Sequence, residues 1–196
     1  MKPKVYVENN DPRTVNMYIK RGWEITQEPH TANLISFDGG ADVSPFLYEE
    51  ENTASHCDLT TDMLSLGLWS IATFHDIPCV GICRGGQFLN VTNGGKMIQH
   101  YSGHGYDHTL DVLPEEYAPW QNVWVTSSHH QVMIPAPRAK LIAVGETAKA
   151  VEIISYTDTD HVPSLCFQPH PEYAHATEEH IDFFFHLIEH ELGVSV

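Results

Sequence analysis

Positive charge is what this sequence has least of. Its 196 residues carry 10 Lys and Arg against 26 Asp and Glu, a formal net charge of −16. Ten scattered cations cannot assemble the phosphate-neutralising stripe of a nucleic-acid binder, so no nucleic-acid partner is expected. An acidic surface also does nothing to draw in an anionic substrate, so carboxylate recognition must use local groups such as backbone N–H donors or Arg84. Cysteine is scarce too. Cys57, Cys79, Cys83 and Cys166 are too few for a disulfide framework and lack paired C-x-x-C zinc spacing. Long apolar runs are missing: 42% of residues are hydrophobic, yet no run approaches the roughly 20 residues of a membrane span. Residues 1–7 offer charge without the apolar stretch of a secretory leader. The expectation is a cytoplasmic chain with no membrane association, folded as one sizeable domain over residues 1–196.

What is present concentrates in two segments. A short apolar run (Ile77, Cys79, Val80, Ile82) ends at Cys83, with Gly81 two residues before it and Gly85 two after. That spacing predicts a strand entering a sharp turn and then a helix over residues 86–93, the layout of a nucleophile elbow. The glycines are needed because a side chain would block so strained a turn. A sulfur at a helix start meets unpaired N–H groups and the positive end of the helix dipole, which favour thiolate. Far downstream, Gln168-Pro169-His170-Pro171-Glu172 supplies a base, His170, and a carboxylate, Glu172, to orient it. Cys79 and Cys166 sit in apolar strand patterns and read as core; Cys57 reads as a loop thiol.

Gly81-Ile82-Cys83-Arg84-Gly85 with Gln87, then Ser128-His129-His130-Gln131, then His170-Pro171-Glu172 resemble the class I glutamine amidotransferase superfamily. Within it the sequence is most similar to the γ-glutamyl-γ-aminobutyrate hydrolase branch, whose loop ahead of the nucleophile resembles Asp38-Gly39-Gly40-Ala41-Asp42-Val43-Ser44-Pro45 with Tyr48. The resemblance runs in order from about residue 34 to residue 172. It implies a Cys83–His170–Glu172 triad that forms a γ-glutamyl thioester, with backbone N–H groups of Gly40 and Arg84 holding the oxyanion. It also implies a pocket lined by Gly39, Gln87, Ser128, His129 and His130, and no cofactor. Two departures stand out. Residues 148–152 lack the Asp-Gly turn that members often carry there, and little chain separates Tyr48 from Leu59.

Alternating patterns predict strands at residues 4–8, 23–26, 34–37 and 77–82, with helices at 14–21 and 59–75. The second helix carries Leu64, Leu68, Ile71 and Phe74 at helical spacing. This is an α/β pattern: a mostly parallel central sheet flanked by helices, with ligands at the carboxyl ends of the strands. From residue 96 to 154 the pattern turns β-rich (123–127, 141–144, 151–156), reading as a hairpin insertion into a flavodoxin-like, amidotransferase-like fold. A strand at 165–168 leads to His170, and a final helix at 177–192 carries Ile181, Phe184, Phe185, Ile188 and Leu192.

Fourteen histidines raise the question of a metal. His100, His104 and His108 are spaced by four, but Gly103 and Gly105 break any helix there and no ligand set completes a site, so none is expected. Three functions compete. One is a freestanding hydrolase of γ-glutamyl amides, favoured by the Asp42-to-Pro45 and Ser128-to-Gln131 motifs. Another is a glutaminase that takes glutamine and feeds ammonia to a separate synthetase or amidoligase chain. The third is an inactive binding module, which a complete set of catalytic residues argues against. Self-association into a homo-oligomer stays open.

Overall fold

The computed structural model describes residues 2–102, 105–147, 149–157 and 161–196. Its central feature is a nine-stranded sheet. The first half alternates strand and helix: β1 (Lys4–Val7), α1 (Pro12–Lys20), β2 (Glu24–Ile25), β3 (Leu34–Phe37), α2 (Leu59–Phe74), β4 (Cys79–Ile82) and α3 (Arg84–Thr92). The β-rich part follows as β5 (Lys96–Ile98), β6 (His108–Val112), β7 (Trp124–Val125), β8 (Val132–Ile134), β9 (Lys140–Gly145) and β10 (Val151–Tyr156). The chain then returns through β11 (Ser164–Phe167) and α4 (Glu178–Leu192).

Five strands in the order β2-β1-β3-β4-β11 pair parallel. Strand order reverses direction between β1 and β3, the switch point at which such sheets open a crevice. Strands β3, β4 and β11 are buried on both faces, as their unbroken apolar character requires. The expected hairpin of β9 with β10 forms, and β6, which the sequence pattern did not mark, pairs antiparallel with β7. They are not a separate insertion, however: β10, β9, β6 and β7 extend the same sheet antiparallel beyond β11. Only β5 and β8 pair apart from it among the described residues.

The two faces carry separate cores. One joins Met17 and Tyr18 of α1 to Phe183, Phe184 and Leu187 of α4. The other joins Leu68 and Trp69 of α2 to Phe88 and Leu89 of α3. Helix α1 starts earlier than residue 14 because Asp11 caps it, accepting from the N–H groups of Arg13 (2.8 Å) and Thr14 (3.4 Å), while Pro12 tolerates the first helical position. Of the apolar positions that define α2 in sequence, Leu68 is buried, but Leu64 and Phe74 face outward.

Candidate active site

Strand β4 hands over to α3 at Cys83, whose backbone sits at φ 52° and ψ −111°. A left-handed φ in a non-glycine residue is costly and persists only where the surroundings impose it. Here they do. A Cβ on Gly81 would lie 2.2 Å from the Gly85 carbonyl carbon, and one on Gly85 would lie 2.2 Å from the Phe37 carbonyl oxygen. Helix α3 begins at Arg84, two residues ahead of the expected start, so Cys83 is its N-cap. Its N–H donates to the Phe167 carbonyl at 2.8 Å, tying the elbow to β11.

His170 leaves β11 beside that elbow, its N–H donating to the Thr126 carbonyl at 2.8 Å. Its Nδ1 donates to Glu172 Oε1 at 2.7 Å, and its ring and Cys83 both border the Gly39 backbone. Nε2 lies 3.2 Å from Ser128 Oγ, which is in turn 2.9 Å from the Tyr173 hydroxyl. Burial disfavours the imidazolium, but the Cys83 and Glu172 contacts outweigh it, and the His170 pKa is pushed up to about 10. Cys83, far from them in sequence, thus shares one cavity with the hydrogen-bonded pair His170 and Glu172.

That cavity measures about 330 Å³ and lies at the carboxyl ends of β1, β3 and β4. The loop after β3 lies against the pair: a Cβ on Gly39 would sit 3.3 Å from His170 Cε1 and 3.8 Å from Cys83 Cβ. Gly40 faces open space. Arg84, as the first helical residue, has an N–H with no acceptor inside its own helix. Both expected oxyanion donors therefore belong to backbone that borders the cavity.

The remaining expected pocket residues divide. Ser128 and His130 line the cavity; His130 Nε2 is 3.2 Å from Asp42 Oδ2 and its Nδ1 is 3.3 Å from His100 Nδ1. Gln87 also lines it, but its Nε2 donates to Gln168 Oε1 at 3.2 Å. His129 lines it too, with its ring largely buried. Its Nδ1 donates to the Gln131 carbonyl at 2.7 Å, and its Nε2 is 3.4 Å from Glu152 Oε2. Glu152 is the extra residue where the β9–β10 register shifts, and a bulge of this kind re-aims a side chain. Arg84 also departs from expectation. Its guanidinium, 1% exposed, donates to Asp62 Oδ1 (2.5 Å) and Ser65 Oγ (2.6 Å) beneath the elbow, so it is no carboxylate receptor.

Asp11, Arg13, Thr14 and Tyr173 line the cavity without having been read as site residues, and Asp38 had been read only as part of its loop motif. Arg13 forms a two-point pair with Asp11, at 3.1 and 3.0 Å, and its guanidinium lies 5.3 Å from the Tyr173 ring centre. Burial pushes the Asp38 carboxyl up to about 7, against the lowering effect of the Asn9 N–H that donates to it at 3.2 Å. Their sequence signals were adjacency alone: Asp38 precedes Gly39-Gly40, and Tyr173 follows Glu172.

His104 lies outside the described residues. Among those described, Glu116, His190 and Glu191 approach one another closely enough to hold a cation. The Lys140 ammonium already bonds both carboxylates there, at 2.7 and 2.5 Å, so the group is an ion-pair network. No helix among the described residues is long and apolar enough to cross a membrane.

The chain is 34% identical to the glutamine amidotransferase-like protein YvdE of Lactococcus lactis, over 76% of this chain and 69% of that protein. It is 29% identical to the γ-glutamyl-γ-aminobutyrate hydrolase PuuD of Escherichia coli, over 68% of this chain and 61% of that one. A solved structure from Thermoplasma acidophilum, described as one of the subunits of a GMP synthase, superimposes with a TM-score of 0.69 at 19% identity, covering 94% of this chain and 92% of that one. A glutamine amidotransferase from Thermotoga maritima gives 0.64 at 16% identity, with 96% and 85% covered. Residues 24–172 match the peptidase C26 family, and the chain belongs to that class I glutamine amidotransferase-like family.

Proposed function

We propose that this chain is a cysteine amidohydrolase that cleaves γ-glutamyl amide bonds. The observation that carries the reading is the strained Cys83 elbow that shares its cavity with His170, itself anchored on Glu172. The Cys83 thiolate adds to the γ-carbonyl carbon, and the oxyanion is held by the N–H groups of Gly40 and Arg84. His170 gives its proton to the departing amine, leaving a γ-glutamyl thioester. It then takes a proton from water, whose oxygen adds to the thioester. The second tetrahedral species collapses to glutamate and free Cys83. Glu172 keeps the His170 Nδ1 proton in place so that Nε2 does the exchanging. The relative PuuD bears the name of a hydrolase of this class.

A further observation favours a sizeable leaving amine over ammonia. A second cleft of about 580 Å³ shares Arg13, Glu172 and Tyr173 with the catalytic cavity and adds Lys20. That space beside the catalytic cavity suits a leaving group larger than ammonia. The competing reading, a glutaminase feeding ammonia to a synthetase or amidoligase, draws on neighbours described as synthase components.

Assay of the isolated protein separates the two. Turnover of a γ-glutamyl-amine panel well above that of L-glutamine supports the hydrolase; near silence on both until a synthetase is added supports the ammonia-feeding glutaminase. Cys83→Ser should abolish turnover and labelling by glutamine-like electrophiles, whereas Cys79→Ser and Cys166→Ser should alter only stability. Wild-type turnover in Cys83→Ala would end both readings.

A further inference from the structure

Four carboxylates line the catalytic cavity: Asp11, Asp38, Asp42 and Glu172. Three are committed. Asp11 caps α1 and holds Arg13 in its two-point pair. Asp38 is 3% exposed and accepts from the Asn9 N–H. Glu172 accepts from His170. Asp42 differs from them. Its side chain is 14% exposed. Oδ2 accepts from the His56 N–H at 2.8 Å and lies 3.2 Å from His130 Nε2, whereas Oδ1 makes no hydrogen bond among the described residues. The backbone is fixed as well: the Asp42 N–H donates to the His56 carbonyl at 3.0 Å, and residue 42 forms a parallel bridge with Cys57. A carboxylate held in this way and facing a cavity keeps acceptor capacity for a ligand.

Position along the cavity selects the group that Asp42 meets. With the γ-carbonyl at Cys83 and the leaving amine toward the second cleft, which Arg13 and Tyr173 border, the amino-acid end of the substrate lies on the wall that the second cleft does not share. Asp42 and His130 belong to that wall. Asp42 follows Gly39 by three residues, and a Cβ on Gly39 would sit 3.8 Å from Cys83 Cβ. Three residues reach at most about 10 Å. The carbonyl carbon and α-nitrogen of a γ-glutamyl group are about 5 Å apart, and one hydrogen bond adds about 3 Å. We infer, resting on the amidohydrolase reading, that Asp42 receives the α-ammonium of the γ-glutamyl group and restricts the enzyme to units whose α-amine is free. The imidazole of His130 stands 3.2 Å from that carboxylate, a separation that suits an α-ammonium and an α-carboxylate borne by one carbon. An acylated α-nitrogen has no charge to offer and leaves Asp42 unpaired against the substrate. In a γ-glutamyl oligomer only the first unit has a free amine, since the nitrogen of every later unit is acylated. The enzyme therefore removes γ-glutamyl units singly, from the amino end.

γ-L-Glutamyl-para-nitroanilide and its N-acetyl derivative test this on the full chain. The wild type should favour the free amine by at least about a hundredfold in kcat/KM, because a site built to bond a polar group rejects the analogue lacking it. Asp42→Asn keeps an acceptor for the His56 N–H and loses the charge. It should raise KM for the free-amine substrate at least about tenfold with a smaller change in kcat, and the preference over the N-acetyl form should shrink to within about tenfold. A purely structural role would instead lower the melting temperature and slow both substrates alike. Tri-γ-L-glutamate and its N-acetyl form need no variant: the wild type should consume the first and leave the second intact. Equal turnover of the blocked and free substrates, or full preference retained in Asp42→Asn, would overturn the inference and leave the hydrolase reading standing. No turnover of any of the four substrates by the wild type would end both.

Discussion

The ring of Tyr173 lies nearly parallel to that of His170, centroids 4.2 Å apart and planes 14° from coincidence. Its hydroxyl is 2.9 Å from Ser128 Oγ, and that oxygen is 3.2 Å from His170 Nε2. The imidazole is therefore held on three sides, by Glu172 at Nδ1, by Ser128 at Nε2 and by the phenol face. Each restraint limits ring rotation, which is how positioning contributes to rate. Tyr173→Phe keeps the stack and loses the hydroxyl, so kcat should fall by no more than about threefold. Tyr173→Ala loses both, and a stacking contribution of about 0.5–1.5 kcal/mol corresponds to a further drop of up to roughly tenfold. Steady-state kinetics on the two variants decides it; equal values would show that the stack positions nothing.

Gly39 and Gly40 are adjacent in sequence but face different surroundings, and this separates their variants. A methyl on Gly39 would press on His170 at 3.3 Å, whereas one on Gly40 meets nothing within 4 Å. Gly39→Ala should lower kcat with little change in melting temperature. Gly40→Ala should be near neutral in both, because alanine keeps the N–H proposed to hold the oxyanion. A large kcat loss in Gly40→Ala would mean that substrate occupies the space beside Gly40 Cα.

Arg84 supports the elbow through its side chain, while its backbone N–H is a proposed oxyanion donor. The guanidinium is buried with Asp62, Ser65 and, through Ser65, Glu8. Removing one partner of a buried pair typically costs about 3–5 kcal/mol. Arg84→Met should show that scale of loss in chemical denaturation. Arg84→Lys should rescue only part of it, since a single ammonium cannot reproduce the two-point contact. If Arg84 instead met substrate, its variants would raise KM at unchanged stability, and kinetics read beside the unfolding curves distinguishes the two.

Asp38 gives the pH dependence a sign. Its carboxyl is raised from 3.8 to about 7, chiefly by burial, so the folded state binds this proton more tightly than the unfolded state does. The resulting stabilisation is full below about pH 3.8 and is lost as pH rises to about 7. At pH 8 the folded protein holds a buried carboxylate at a net cost. Asp38→Asn should therefore raise the melting temperature at pH 8 and leave it nearly unchanged near pH 4. A melting temperature lowered at pH 8 would assign the carboxylate a stabilising partner.

The elbow was legible in sequence because it is a local object. Two glycines within two residues of Cys83, an apolar strand before it and a helical pattern after it are enough to set a strained turn. The alternation from β1 to α3 was legible for the same reason, with differences of a few residues where Asp11 and Cys83 act as caps. The antiparallel extension was not. A β-rich stretch reads the same whether it forms a separate hairpin or joins a sheet edge, and strand pairing is a long-range choice.

Side-chain direction divides along the same line. Sequence by itself singled out Cys83, His170 and Glu172 as the residues proposed to carry the chemistry, through residue type, spacing and family resemblance. Tertiary structure decided where each side chain points. Arg84 follows the only buried acid on α2 and turns away from the cavity, and His129 follows Glu152, which a bulge aims inward. Arg13 and Tyr173 enter the cavity because the parallel order sets the ends of β1 and β11 on either side of the β3 loop. On α2, apolar periodicity marked a stripe without telling inward from outward, since nearly every position on that helix is uncharged. Which face meets the sheet depends on Asp62 reaching Arg84, a contact 22 residues apart in the chain.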